Sequence, residues 1–236
     1  MILWLILFLL IIGISFILAF RSMKDYQEIP KASKVEYGLF LIRRTDSFDA
    51  GVLGSIGKFM LDNSLIISLE RLFKGNKAAL TIFGPKEILN RFSASLSLLE
   101  LEDYILDCQT EDLSIWEVGV KENTGPNLDD QNNIFANLSQ MGDEDQFFWQ
   151  VILGSRKEKD NISFQTQIRA VVYSKDPSRK KILTSLLQGL KLGKLAKIPK
   201  PFSTEQMMDF FRSRSLSKDS NGPILDSVGV MRLLKV

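Results

Sequence analysis

Histidine is absent from all 236 residues, and cysteine occurs once, at Cys108. The first absence excludes a Ser-His-Asp or Cys-His catalytic system and any histidine-ligated metal. The second excludes a zinc ribbon, an iron–sulfur cluster and an intramolecular disulfide. Glycine is present but never gathered into a phosphate cradle. No G-x-x-x-x-G-K-[ST] loop and no G-x-G-x-x-G occurs, Gly75 and Gly84 stand alone, and Gly189 to Lys194 lacks the loop pattern. The carboxylates at Asp129 and Asp130, and from Asp143 to Asp145, lack the glycine and the twelfth-position glutamate of a calcium loop. Cys108 reads as a small core residue rather than a nucleophile. These gaps assign no catalytic, cofactor-binding or metal-binding residue, and the chain is expected to be neither an enzyme nor a cofactor carrier.

Charge is missing in another place. Nineteen residues from Ile2 to Phe20 carry none, and fifteen of them are Ile, Leu or Phe. As a helix the run would extend about 29 Å, close to a hydrocarbon core of about 30 Å. No Lys or Arg precedes it, and Ile17-Leu18-Ala19-Phe20 offers no small-x-small cleavage site, so an uncleaved anchor is expected over 1–21. Trp4, Arg21 and Lys24 would flank the membrane. With Lys31 and Lys34 also following the span, the positive-inside rule leaves the carboxyl side in the cytoplasm. The expected location is a single pass of the inner membrane, with lipid as one partner and 22–34 as a tether.

Beyond the tether a similar order of elements appears twice. Val35 to Arg44 alternates as a strand, and a helix follows from Ser47 with Phe48, Val52, Leu53, Ile56, Phe59 and Met60 at helical spacing. Glycines 51, 54 and 57 weaken that helix. Leu65 to Phe73 and Ala78 to Phe83 flank a hairpin turn at Lys74-Gly75-Asn76. Pro85 opens a helix carrying Ile88, Leu89, Phe92, Leu96 and Leu99, and a strand is expected near Tyr104 to Cys108. The second pass runs from a strand at Ser114 to Lys121, through a helix after Asn127, to a hairpin of Phe147–Leu153 and Ile162–Tyr173. Asp176-Pro177 then starts a helix. Ile182, Leu183, Leu186 and Leu190 repeat Ile88, Leu89, Phe92 and Leu96 at a constant offset of 94. The expected class is α+β: a transmembrane helix followed by two tandem ferredoxin-like (split βαβ) domains, at 35–110 and 111–198. A tail follows at 199–236. In it Ser203 and Gln206 resemble a capping box, and a terminal apolar element is expected to pack on its own domain.

The balance of +2 hides an asymmetry. Glu100 to Asp145 holds thirteen acidic residues and one basic one, whereas Arg156 to Val236 holds seventeen basic and seven acidic. Arg179, Lys180, Lys181, Lys191, Lys194, Lys197 and Lys200 are candidate contacts for an anionic surface, against the simpler reading of a solvated helix face and linker. RNA binding through the sheet is disfavoured, because Ala and Leu stand where stacking rings are needed in Lys77 to Phe83.

Several segments share a pattern: SLERLFKGNKAALTIFGPKEILNRFSASL, EDYIL, FFWQVILGSRK and QTQIRAVVYSKDPSRKKILTSLLQGL. With Pro85, Asp103-Tyr104, Trp149-Gln150-Val151 and Ile168-Arg169-Ala170-Val171-Val172-Tyr173 in their places, the arrangement resembles the pre-motor region of conjugation-type (type IV secretion) and related coupling ATPases of bacteria. The likeness spans about Val35 to Leu192. The family's nucleotide-binding motor has no counterpart in this sequence, so no catalytic residue carries over. The resemblance implies a non-catalytic membrane adaptor that docks an ATPase or channel subunit. The alternative is a membrane-tethered nucleic-acid-binding protein using the basic carboxyl-terminal region.

Overall fold

Alternating and near-continuous apolar runs become strands, and all of these but one short two-stranded pair join one sheet. The computed structural model describes residues 4, 10–15, 26–27, 35–61, 65–107, 112–120, 135, 141–158, 161–188, 195–198, 202–217 and 222–234. Its strands are β1 (Tyr26–Gln27), β2 (Tyr37–Leu41), β3 (Ile66–Lys74), β4 (Lys77–Pro85), β5 (Leu99–Leu101), β6 (Leu113–Val120), β7 (Gln146–Glu158), β8 (Asn161–Tyr173), β9 (Leu195–Ile198), β10 (Leu216–Ser217) and β11 (Ile224–Leu225). Its helices are α1 (Ala50–Leu61), α2 (Lys86–Asn90), α3 (Ser93–Leu96), α4 (Pro177–Gln188), α5 (Thr204–Arg212) and α6 (Ser227–Leu234).

Nine strands form one antiparallel sheet in the order β5-β2-β4-β3-β7-β8-β6-β9, with β11 paired to the free part of β8. The expectation of two tandem ferredoxin-like domains is therefore corrected. The seam is β3 against β7, in register from Ile66↔Gly154 to Lys74↔Gln146. Its cause is visible in the side chains. Ile66, Ile67, Leu69, Phe147, Phe148, Trp149, Val151 and Ile152 are buried on both faces, and as edge strands they would expose long apolar ladders to other chains. Pairing the two strands removes both edges. Read inward from either rim, each half lists its strands as fourth, first, third, second in chain order, so the doubled element order lies within a single sheet.

One face carries the main core. Ile67, Leu69, Trp149, Val151, Ile168 and Ala170 project into it beneath α1, α4 and α6. The glycines of α1 are seats for neighbours. A Cβ at Gly57 would stand 2.7 Å from Phe164 Cζ, so only glycine lets this helix descend onto β8. The terminal helix α6 buries Val230, Leu233 and Leu234 in the same core, as expected of a terminal apolar element.

Two local expectations fail. The helix entered after Pro85 breaks at Arg91–Phe92 into α2 and α3, and Ser97 turns left-handed (φ 50°) to close it. Leu99 consequently lies on β5 rather than on the helix, and Tyr104–Asp107 is a 3-10 turn instead of a strand. Of the helix expected after Asn127, only Phe135 and Met141 are described, both buried.

The membrane expectation is also corrected. Among the described residues no helix is long and apolar enough to cross a membrane. Of the amino-terminal run, Trp4 and Leu10–Ser15 are described, helical and exposed. Hydropathy alone had suggested the span. The single-pass inner-membrane location falls with it, and Arg21 and Lys24 lie outside the described residues.

Candidate functional site

A row of polar side chains crosses the middle of the sheet on the face opposite the main core. Thr81 on β4 is in register with Glu70 on β3, Glu70 with Gln150 on β7, Gln150 with Arg169 on β8, and Arg169 with Glu117 on β6. None of the five is more than 1% exposed. Buried charges cost several kcal/mol, of order, unless partners replace water, so the row requires internal bonding. Gln150 Nε2 donates to Glu70 Oε1 at 3.0 Å, and Arg169 Nη1 donates to Gln150 Oε1 at 3.1 Å. Ser68 Oγ donates to Glu70 Oε1 at 2.9 Å, and Gln167 Nε2 to Glu117 Oε2 at 2.9 Å.

Arg214 closes the row from above. Its Nε donates to Glu70 Oε1 at 2.7 Å, while Nη1 and Nη2 reach the two oxygens of Asp103 at 2.7 and 3.2 Å. The guanidinium also lies 4.3 Å from the ring centroid of Phe83. Burial opposes the Arg214 charge, but Glu70 and then Asp103 outweigh it and hold the group above the usual arginine range. The Tyr104 hydroxyl donates to Glu70, and its ring stacks on Phe148. Burial, then the Glu70 charge, push this phenol well above the ordinary tyrosine range, with Arg214 pulling the other way.

Helix α5 ends on the same row. Its start is a capping box: Gln206 N–H donates to Ser203 Oγ, and Ser203 N–H donates back to Gln206 Oε1. Its end is a Schellman motif, with Arg214 N–H bonded to Phe211 O and Ser215 N–H to Phe210 O. The left-handed residue of such a motif is usually glycine, yet here it is Arg214, at φ 51°. Arg169 donates to the carbonyls of Phe210 (3.0 Å) and Ser215 (2.6 Å), and Gln150 to that of Phe211 (3.1 Å). The sheet thus gives two carbonyls of the helix end a further donor each, and a cation meets the negative pole of the helix.

The basic residues singled out from sequence do not converge here. Arg179, half-buried on α4, donates from Nε and Nη2 to Asp145 Oδ2 at 3.2 and 2.8 Å. Burial would raise the Asp145 carboxyl, but hydrogen bonds from Ser174, Arg179 and the Gly142 N–H outweigh it and hold it below its usual range. Lys180 and Lys181 share α4, half-buried and exposed respectively, and Lys197 pairs with Val118 at the β9 edge. Lys191, Lys194 and Lys200 lie outside the described residues, and Trp4 stands exposed far from the row in sequence. An open groove of about 530 Å³ between α1 and α6 is lined by Gly51, Gly54, Lys58, Ile162 and Asp226, none of them among the candidates.

Sequence reasoning gave no role to Glu70 or Arg214, and quoted Gln150 and Arg169 only as pattern. The available signal was a single polar residue inside each of several apolar strands: S-L-E, W-Q-V and I-R-A. No known protein family matches this chain, and no curated protein matches it.

Proposed function

We propose that the chain is a non-catalytic docking adaptor for a motor or channel subunit of a type IV secretion or conjugation-like machine. One observation supports the reading above others. The polar residues that carry the resemblance, Asp103-Tyr104, Gln150 and Arg169, meet in one buried joint with Glu70 and Arg214. The Arg214 charge is paired with Glu70 and Asp103 within the chain, which suits a scaffold that holds its shape for a partner. Crosslinking the full chain in its own cells and purifying it through a tag is expected to recover a secretion ATPase or channel subunit. Monomer alone, obtained repeatedly with the crosslinker proven active, would count against the adaptor.

The alternative, a nucleic-acid-binding protein, is favoured by Lys180 and Lys181 on successive positions of α4. Arg179 weakens it, because that guanidinium already holds Asp145.

A further inference from the structure

We propose that Phe202–Ser217 is a releasable strap, which opens together with the amino-terminal segment at Tyr26–Gln27 while the nine-stranded sheet stays closed. The inference stands whichever partner the chain docks.

The attachments of the strap are of a different kind from those inside the sheet. β10 is not a member of the nine-stranded sheet; it pairs with β1, Tyr26↔Ser217 and Gln27↔Leu216. The sheet grips strap carbonyls through the side chains of Arg169 and Gln150. Met208 and Phe211 join a small cluster with Phe148 and Val171, and Leu216 joins Ile66 and Ile152, both separate from the main core. Leu216 sits in a notch that exists because residue 154 is glycine: a Cβ there would lie 2.7 Å from Leu216 Cδ2. By contrast, β7 and β8 pair along their whole lengths from Gln146↔Tyr173 to Glu158↔Asn161. The strap can therefore lift without breaking a ladder of the nine-stranded sheet.

Three physical terms favour local opening. A buried ionic joint is close to break-even against hydration of its groups. Opening relieves the left-handed backbone of Arg214. The apolar contacts of the strap lie in two small clusters apart from the main core, and parts of a fold open below the global unfolding threshold as contiguous cooperative units. Because β1 is paired to β10, whatever binds the exposed form of either segment shifts the other with it.

Hydrogen exchange of the full chain, followed by mass spectrometry at low urea, reads this directly. Peptides covering 204–217 and 26–27 are expected to exchange through a common opening at least about tenfold faster than β7 and β8. Gly154→Val fills the notch and is expected to accelerate both segments by about another tenfold, with β7 and β8 accelerated no more than equally, so that the strap keeps its lead. If that variant does not fold, Arg214→Gln replaces it and carries the same expectation. Exchange of the strap at the rate and urea dependence of β7 and β8 overturns the proposal. Acceleration confined to one segment overturns the coupling.

Discussion

Glu70 and Arg214 stand 144 positions apart in the chain, and their side chains are bonded at 2.7 Å with 1% of either exposed. This contact fixes the strap to the centre of the sheet. Removing one partner leaves a buried charge without its counter-ion. Arg214→Met is expected to cost about 3–5 kcal/mol in urea unfolding. Adding Glu70→Gln should restore part of that loss, because the stranded carboxylate goes with it.

The backbone of Arg214 makes a second, separable prediction. At φ 51° an alanine retains the left-handed strain, whereas a glycine does not. Both substitutions delete the guanidinium. Arg214→Gly is therefore expected to be more stable than Arg214→Ala by about 1 kcal/mol. Equal midpoints in the same denaturant series would show that the strain is absorbed elsewhere.

Asp145 predicts an acid dependence. Its carboxyl lies below the usual range in the folded chain, so its contribution is present above the unfolded value of about 3.9 and is lost as pH falls through the lower folded value. The stability gap between the natural chain and Asp145→Asn should be full above about pH 5 and shrink steadily toward more acid conditions. A gap independent of pH would mean that the Arg179 contact works without the carboxylate charge.

Tyr104 predicts the opposite limb. Its phenol lies well above the ordinary range, so its share of stability is complete below about pH 10 and disappears as pH rises beyond that. In a phenolate absorbance titration one tyrosine should ionise only with unfolding. Tyr104→Phe should remove that late step.

Salt dependence separates the two functional readings. An adaptor should show no steep fall of log K with log salt on single- or double-stranded nucleic acid. A nucleic-acid-binding chain should show one, and Lys180→Gln with Lys181→Gln should flatten it by about two phosphate contacts.

Periodicity made much of the local structure legible. The hairpin at Gly75-Asn76, the start of α4 at Asp176-Pro177 and the capping box at Ser203 were all readable from residues within a few positions of each other, whereas the terminal apolar element was readable only as strand or helix and is helical. What escaped was non-local. Nothing within β3 or β7 states that they pair with one another, because a strand's apolar faces do not name their neighbour. The polar row was equally hidden, since Glu70, Gln150 and Arg169 gain meaning only once the register lines them up. Arg214 broke the rule that would have placed glycine at the helix end. The apolar amino-terminal run was legible as composition, but composition alone did not yield a membrane-crossing helix among the described residues.

The long β3–β7 pairing carries a consequence for anyone dividing the gene. A boundary near position 110 looks natural from the doubled order, yet a fragment ending there would present Ile67 and Leu69 on a bare rim, and its counterpart would present Phe147 to Val151. Such pieces should stick to one another or precipitate rather than behave as independent modules. The two halves have become each other's solubility tag.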